Sequence, residues 1–277
     1  MSQISRFTRK VVTLAKNAVG DRRETAAPTG GGSFADYAVV SLHCLRVYLG
    51  QSYRTTLDWL SEMPQILAEI GLEPDELPHH STLVKWFDTL TMAVWRVLLR
   101  LSAQEHDPSG DAAIDSTYFD RENASKHYCR RTNYRVQTLK TTALVDTDSQ
   151  AVLDVHCTTE KRHDTQIGWQ VALRNADDLH SLAADKGYDW QQLRDKVREK
   201  GVRPLIKHRE FRPIDHAHNA RIDATAYGQR ALAETVFSSI KRTLGHALRA
   251  RAWYREFREI VLMCSVYNIK RSLTHPN

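Results

Sequence analysis

Between Tyr227 and Lys241 the chain reads YGQRALAETVFSSIK. In a helix turning about 100° per residue, Tyr227, Arg230, Glu234 and Lys241 fall within a stripe roughly 60° wide. Ala233, Val236, Phe237, Ile240 and Leu244 form an apolar stripe about 100° further round, so one face packs on a core while the next presents a ring, a guanidinium, a carboxylate and an ammonium in a row. A carboxylate is a ligand for a hard cation, and an ammonium is a point charge for a phosphate. A second set is the basic run Lys126, Arg130, Arg131, Arg135 and Lys140, with Tyr118, Phe119, Tyr128 and Tyr134 interleaved. Such a run can follow a phosphate backbone and offer stacking faces. Solvated helix faces and hairpins also carry charges in rows, so spacing alone leaves both readings open.

The elements that must position these groups follow from periodicity. The helix carrying Glu234 runs from Asp223 or Thr225 to Leu244 and is ended by Gly245. Upstream, AAIDST at 112–117, VQTLKTTALVD and AVLDVHC read as three strands, the last two separated by the turn TDSQ. A helix begins near Thr165, LHSLAADK contains a fourth strand, WQQLRDKVREK is an amphipathic helix ended by Gly201, and VRPLIK is a fifth strand. REFRPIDHAHNARIDA is a charged loop. A last helix, RAWYREFREIVLMCSVYNIKRS, carries Trp253, Phe257, Ile260, Val261, Cys264 and Tyr267 at core spacing and is expected to pack on the same domain. Three successive strands argue against the doubly wound dinucleotide-binding plan, and no Gly-rich phosphate loop is present. Residues 35–105 are patterned as short helices divided by Pro64, Pro74 and Pro78, suited to a helix-turn-helix or a plain helical bundle. Residues 1–34 read as a basic N-terminal segment followed by a linker, TAAPTGGGSF.

Tyr227, two residues, Arg230, three residues, Glu234, six residues, Lys241 is a spacing that resembles in full the signature of DDE transposases of prokaryotic insertion sequences. The resemblance covers residues 111–270 closely and 35–105 more loosely. It implies an α/β fold: a ribonuclease H-like mixed five-stranded sheet flanked by helices in residues 109–277, preceded by a small all-helical DNA-binding domain. It also implies that Asp115 in DAAIDST, Asp185 in LAADKGYD and Glu234 are the catalytic carboxylates. Three carboxylates converging at strand ends repel one another unless cations neutralise them, and oxygen ligands select Mg²⁺, with Mn²⁺ as substitute, in a pair suited to in-line phosphodiester transfer. Arg230 is expected behind the carboxylates, Lys241 on a terminal phosphate and Tyr227 at the entrance. Double-stranded DNA at element ends and target DNA are the implied partners, with a homodimer when ends are paired. Asp189 is passed over because Asp185 directly closes the apolar strand. His163 and Asp164, a recurrent pair in the resembled family, are read as capping the following helix.

Charge supports a polyanionic partner. Residues 201–277 carry 14 basic and 6 acidic residues, which more than accounts for the formal net charge of +6 of the 277-residue chain. The four cysteines Cys44, Cys129, Cys157 and Cys264 form no CxxC pair and are expected as buried thiols in a reducing compartment. No segment reads as a signal peptide or a membrane span, so a cytoplasmic location is expected. His208, His216, His218, His127 and Cys129 have spacings that fit no compact zinc site, and no strained nucleophile elbow supports a hydrolase triad. The competing functions are a ribonuclease H-like nuclease without strand transfer and a non-catalytic DNA-binding regulator derived from a transposase.

Overall fold

The computed structural model describes residues 1–20, 23, 25–28, 32–121, 139–159 and 162–274. They fall into two compact units, residues 1–106 with 258–277 and residues 107–257.

The second unit is built on a mixed sheet. β1 (Asp111–Arg121), β2 (Leu139–Asp146), β3 (Val152–Thr158), β4 (Ser181–Ala184) and β5 (Arg203–Ile206) lie in the order β3-β2-β1-β4-β5. β1 pairs antiparallel with β2 and β2 with β3, while β1–β4 and β4–β5 are parallel. The parallel pairs need crossovers, supplied by the helices Asp164–Asn175 and Gln191–Glu199. This is the ribonuclease H-like order. A sixth strand, β6 (Ala247–Leu248), adds to the expected five and pairs with Asp120 and Arg121 at the end of β1.

Strand alternation divides the core. Ala112, Ile114, Leu144, Leu182 and Ile206 join Ile167, Val171, Leu193 and Val197 of the two crossover helices. Ala113, Val145, Ala183 and Leu205 are also buried but turn to the opposite face. β1 and β2 also pack against the helix Ala231–Leu244, whose Ala233, Val236, Phe237 and Ile240 are buried as the apolar stripe required.

The expected Glu234 helix is broken. Asp223 caps a short helix, Ala224–Gly228, by accepting from the N–H groups of Thr225 and Ala226, and a new helix begins at Ala231. Across the joint the bonds are of the i→i+3 type, Arg230 N–H to Tyr227 O at 3.2 Å and Leu232 N–H to Gln229 O at 2.9 Å. Gly228, the poorest helix former in the run after proline, sits at the break. The expected charged loop contains a further helix, Pro213–Ala220, which starts at a proline, as helices often do.

In the first unit, the basic N-terminal segment forms a helix, Gln3–Val19. Phe7, Val11 and Leu14 are buried, and Arg9 and Lys10 pair with Glu69 and Glu105, each at 2.6 Å. The helices Asp36–Leu49, Tyr53–Ser61, Pro64–Ile70, His80–Thr89 and Met92–Gln104 follow. The last helix, Trp253–Thr274, departs from expectation: its residues from Arg258 on belong to this unit. There Glu259 meets the buried Arg46 guanidinium at 2.9 Å, and Asn268 bonds Ser102 and His106. Core spacing announces that a helix is buried without saying against what.

Candidate active site

β1 and β4 run parallel with Ile114 opposite Ala184, so the next position on each carries Asp115 and Asp185. Asp185 thus follows the carboxyl end of β4, level with Asp115 in the middle of the longer β1. Asp115 follows Ala113 in alternation and shares a face with Thr117, the face on which the Ala231–Leu244 helix lies. Asp185 caps the short turn Lys186–Tyr188 by accepting the Gly187 N–H at 2.7 Å. Tyr188 is buried behind it, with its hydroxyl 2.9 Å from Ser116 Oγ.

The Asp115 carboxyl is raised from 3.8 to about 6, mainly by burial, with the negative charges of Asp185, Glu234 and Asp164 adding to the rise and a bond from the Ser116 N–H opposing it. The charges acting on Asp115 are therefore all of its own sign, the condition that a bound cation relieves. The three carboxylates are hard oxygen donors and fit a divalent ion chemically. They do not close into a ready-made cage: among the described residues no group of three His, Cys, Asp or Glu is close enough to hold an ion. The Glu234 carboxylate is exposed and lies 3.8 Å from Arg230.

A stability prediction follows. The folded pKa lies above the unfolded one, so the contribution of Asp115 is fully present below pH 3.8 and is lost as pH rises through about 6. Asp115→Asn should therefore stabilise the protein in EDTA at about pH 7.5 by roughly 2 kcal/mol, after a discount for solvent screening, with the gain gone near pH 4. Urea melts at both pH values check this; a variant no more stable than wild type at the higher pH contradicts it.

The other expected residues are placed as follows. Tyr227 lies between Lys207, whose Nζ is 4.5 Å from the ring centroid, and Arg230 at 5.3 Å. Lys241 is docked rather than free: Nζ donates to Thr117 Oγ1 at 2.7 Å and lies 5.1 Å from the Phe119 ring centroid. Desolvation lowers its pKa, opposed by Asp120. Lys126, Arg130, Arg131 and Arg135 lie outside the described residues. Lys140 is buried on β2, donating to Arg162 O at 2.7 Å. Trp190 packs on Trp169, whereas Trp253 is 59% exposed beside a cleft of about 420 Å³ that it lines with Gln170 and Ile167. Cys44, Cys157 and Cys264 are buried thiols outside any disulfide.

Asp164, expected as a cap, is the first helical residue; its Oδ1 lies 2.7 Å from Lys140 Nζ, and its charge acts on both Asp115 and Tyr188. The recurrent His163–Asp164 pair was the available signal. Asp189, passed over as a ligand, is an anchor: it accepts from Arg194 and from the Arg209 N–H. Burial raises its pKa, yet these bonds hold it below the usual carboxylate range.

The profile of one protein family, described as the transposase DDE domain, matches residues 107–269. A cryo-EM structure of a piggyBac transposase synaptic complex with hairpin DNA superposes with a TM-score of 0.50 at 10% identity, over 98% of this chain and 75% of that one. At that identity the likeness is one of fold. No curated protein sequence matches the chain.

Proposed function

We infer the function from one premise: the chain belongs to the transposase DDE domain family. On that premise the protein binds the ends of a DNA element, cuts phosphodiester bonds there and joins the released 3′-hydroxyl to target DNA. The observation that carries this reading is the emergence of Asp115 and Asp185 from adjacent parallel strands, where each other's charge and that of Glu234 leave Asp115 in need of a counter-ion. Asp115, Asp185 and Glu234 are the residues to hold Mg²⁺, or Mn²⁺ in its place. When bound, a pair of such ions neutralises charge on the phosphate and activates the attacking and leaving oxygens.

The chain's own part is positional. The Gly187 N–H fixes Asp185, and Arg230 holds Glu234 beside the Tyr227 ring. Residues 35–105 supply sequence recognition and the basic excess of residues 201–277 much of the salt-dependent grip. Pairing of two ends makes a homodimer the working form. No helix among the described residues is long and apolar enough to cross a membrane.

The test is incubation of the full chain with Mg²⁺, a plasmid carrying the gene with its flanking DNA, and a second target plasmid. Flanking cuts with joined products support the reading. Cuts without joining make the protein a nuclease, and DNA binding without either makes it a regulator.

Lys241 is proposed to hold a phosphate beside the site. Because its ammonium also bonds Thr117, Lys241→Ala is expected to cost about 1 kcal/mol of stability and to slow end cleavage by about tenfold or more, with partial recovery at low salt. Thr117→Val removes the same internal bond and serves as the control. Equal cleavage loss in both variants would show that Lys241 acts through the sheet rather than on DNA.

A further inference from the structure

Among the described residues of the sheet unit, Phe211 and Ile214 are the most exposed large apolar side chains, at 82% and 71%. The turn that holds them in water is built. Asp215 Oδ2 accepts the N–H groups of both Phe211, at 3.1 Å, and Arg212, at 2.8 Å, and Pro213 stiffens the first turn of the helix that follows. Its base is tied to the segment that carries Asp185. Arg209 N–H donates to Asp189 Oδ2 at 2.6 Å, Arg209 Nε to Lys186 O at 3.1 Å, and Lys186 Nζ to Glu210 Oε1 at 2.9 Å. The Asn219 side chain bonds the His208 N–H, the His208 carbonyl and Glu210, closing the structure from the other side.

The surroundings are cationic. Arg209 and Arg212 flank Phe211, with Lys207 and Arg221 in the same stretch, while Glu210 is committed to Lys186 and Asp215 to the backbone. Neither Arg212 nor Arg221 has a carboxylate within ion-pairing distance among the described residues. An apolar ring on a rigid mount between guanidinium groups matches the chemistry of a DNA wedge: the cations take phosphates and the ring replaces the stacking that its entry removes. A second copy of the chain would bring the same cations against themselves, so charge favours the polyanion as occupant.

We propose that Phe211, supported by Ile214, enters the base stack of duplex DNA next to the bond being cut, with Arg209 and Arg212 on the flanking phosphates. The inference rests on the DNA-cutting reading above. The mount makes the insertion inseparable from placement of the DNA against Asp185, because both hang on Lys186 and Asp189.

The experiment uses the full chain in Ca²⁺, to hold cleavage back, with duplexes cut from the gene's flanking DNA and carrying 2-aminopurine at successive positions around the cleavage point. Wild type should raise the fluorescence at one position several-fold as that base unstacks. Phe211→Ala should abolish the rise while weakening affinity by no more than about fivefold, and Phe211→Leu should restore part of it. The exposure of Phe211 makes both variants foldable, and thermal melts verify that. DNA binding by wild type with no fluorescence change at any position, or an undiminished rise in Phe211→Ala, overturns the wedge and leaves the DNA-cutting reading standing. No binding of wild type overturns both. A DNA-free dimer that Phe211→Ala converts to monomer assigns the knob to a second copy and also overturns the wedge.

Discussion

Asp185→Asn is expected to reduce metal-dependent DNA cleavage by about a thousandfold or more while leaving DNA affinity and the melting temperature close to wild type. The substitution keeps what the fold uses, since an Asn oxygen can still accept the Gly187 N–H that now bonds Asp185 Oδ1. It removes only the negative charge, which the arrangement with Asp115 reserves for a cation. Asp115→Asn and Glu234→Gln should behave alike in cleavage, although Asp115→Asn alone should also raise stability at neutral pH. Single-turnover cleavage of a plasmid bearing the flanking DNA measures the effect, and calorimetry with Mg²⁺ or Mn²⁺ measures lost ion binding. Cleavage at the wild-type rate by Asp185→Asn would remove that residue from the chemistry.

The second large effect is structural and reaches the same place from behind. A Cβ added to Gly168 would stand 2.4 Å from Tyr188 Cε1 and 2.7 Å from Cδ1. Tyr188 is fully buried, bonded to Ser116 and packed in the core cluster with Ile167 and Val171, so its ring has nowhere to retreat. Gly168→Ala should therefore cost about 3 kcal/mol through overpacking, despite alanine's better helix propensity. Gly228→Ala is the matched control, since nothing lies within 4 Å of its added Cβ; it should be neutral or slightly stabilising. Denaturant melts separate the two. Because Tyr188 ends the turn that Asp185 begins, cleavage by Gly168→Ala should fall more than the lost folded fraction explains. If both variants melt alike, the close approach of Gly168 and Tyr188 is not a constraint on the fold.

The succession of strands was legible because each contains a short apolar run, and two of those runs are followed directly by a carboxylate, Ile114 by Asp115 and Ala184 by Asp185. Period and punctuation are local, and so they survive in the sequence. What was not legible depends on contacts between distant segments. The partner of Asp164 is Lys140, twenty-four positions away on β2, and nothing local distinguishes that aspartate from a cap. The Lys241 stem crosses to Thr117, so a lysine that looks solvated on a helical wheel is half-buried. The break at Gly228 to Arg230 escaped because the dihedrals stay near helical while the bonding shifts by one residue. The basic run at Lys126, Arg130, Arg131 and Arg135 falls outside the described residues, and its role rests on the sequence.

The split of the last helix has a consequence for how the protein is made. Arg46 is buried with its guanidinium against Glu259, both side chains 7% exposed. Until the last helix has been synthesised, the helical unit lacks both Glu259, the partner of Arg46, and the buried Val261, Leu262, Val266 and Ile269 that belong to its core. Residues 1–106 are therefore expected to close after residues 107–257, whose unit is complete sooner in the chain. A fragment stopped at His106 should emerge as loose helices rather than as a domain.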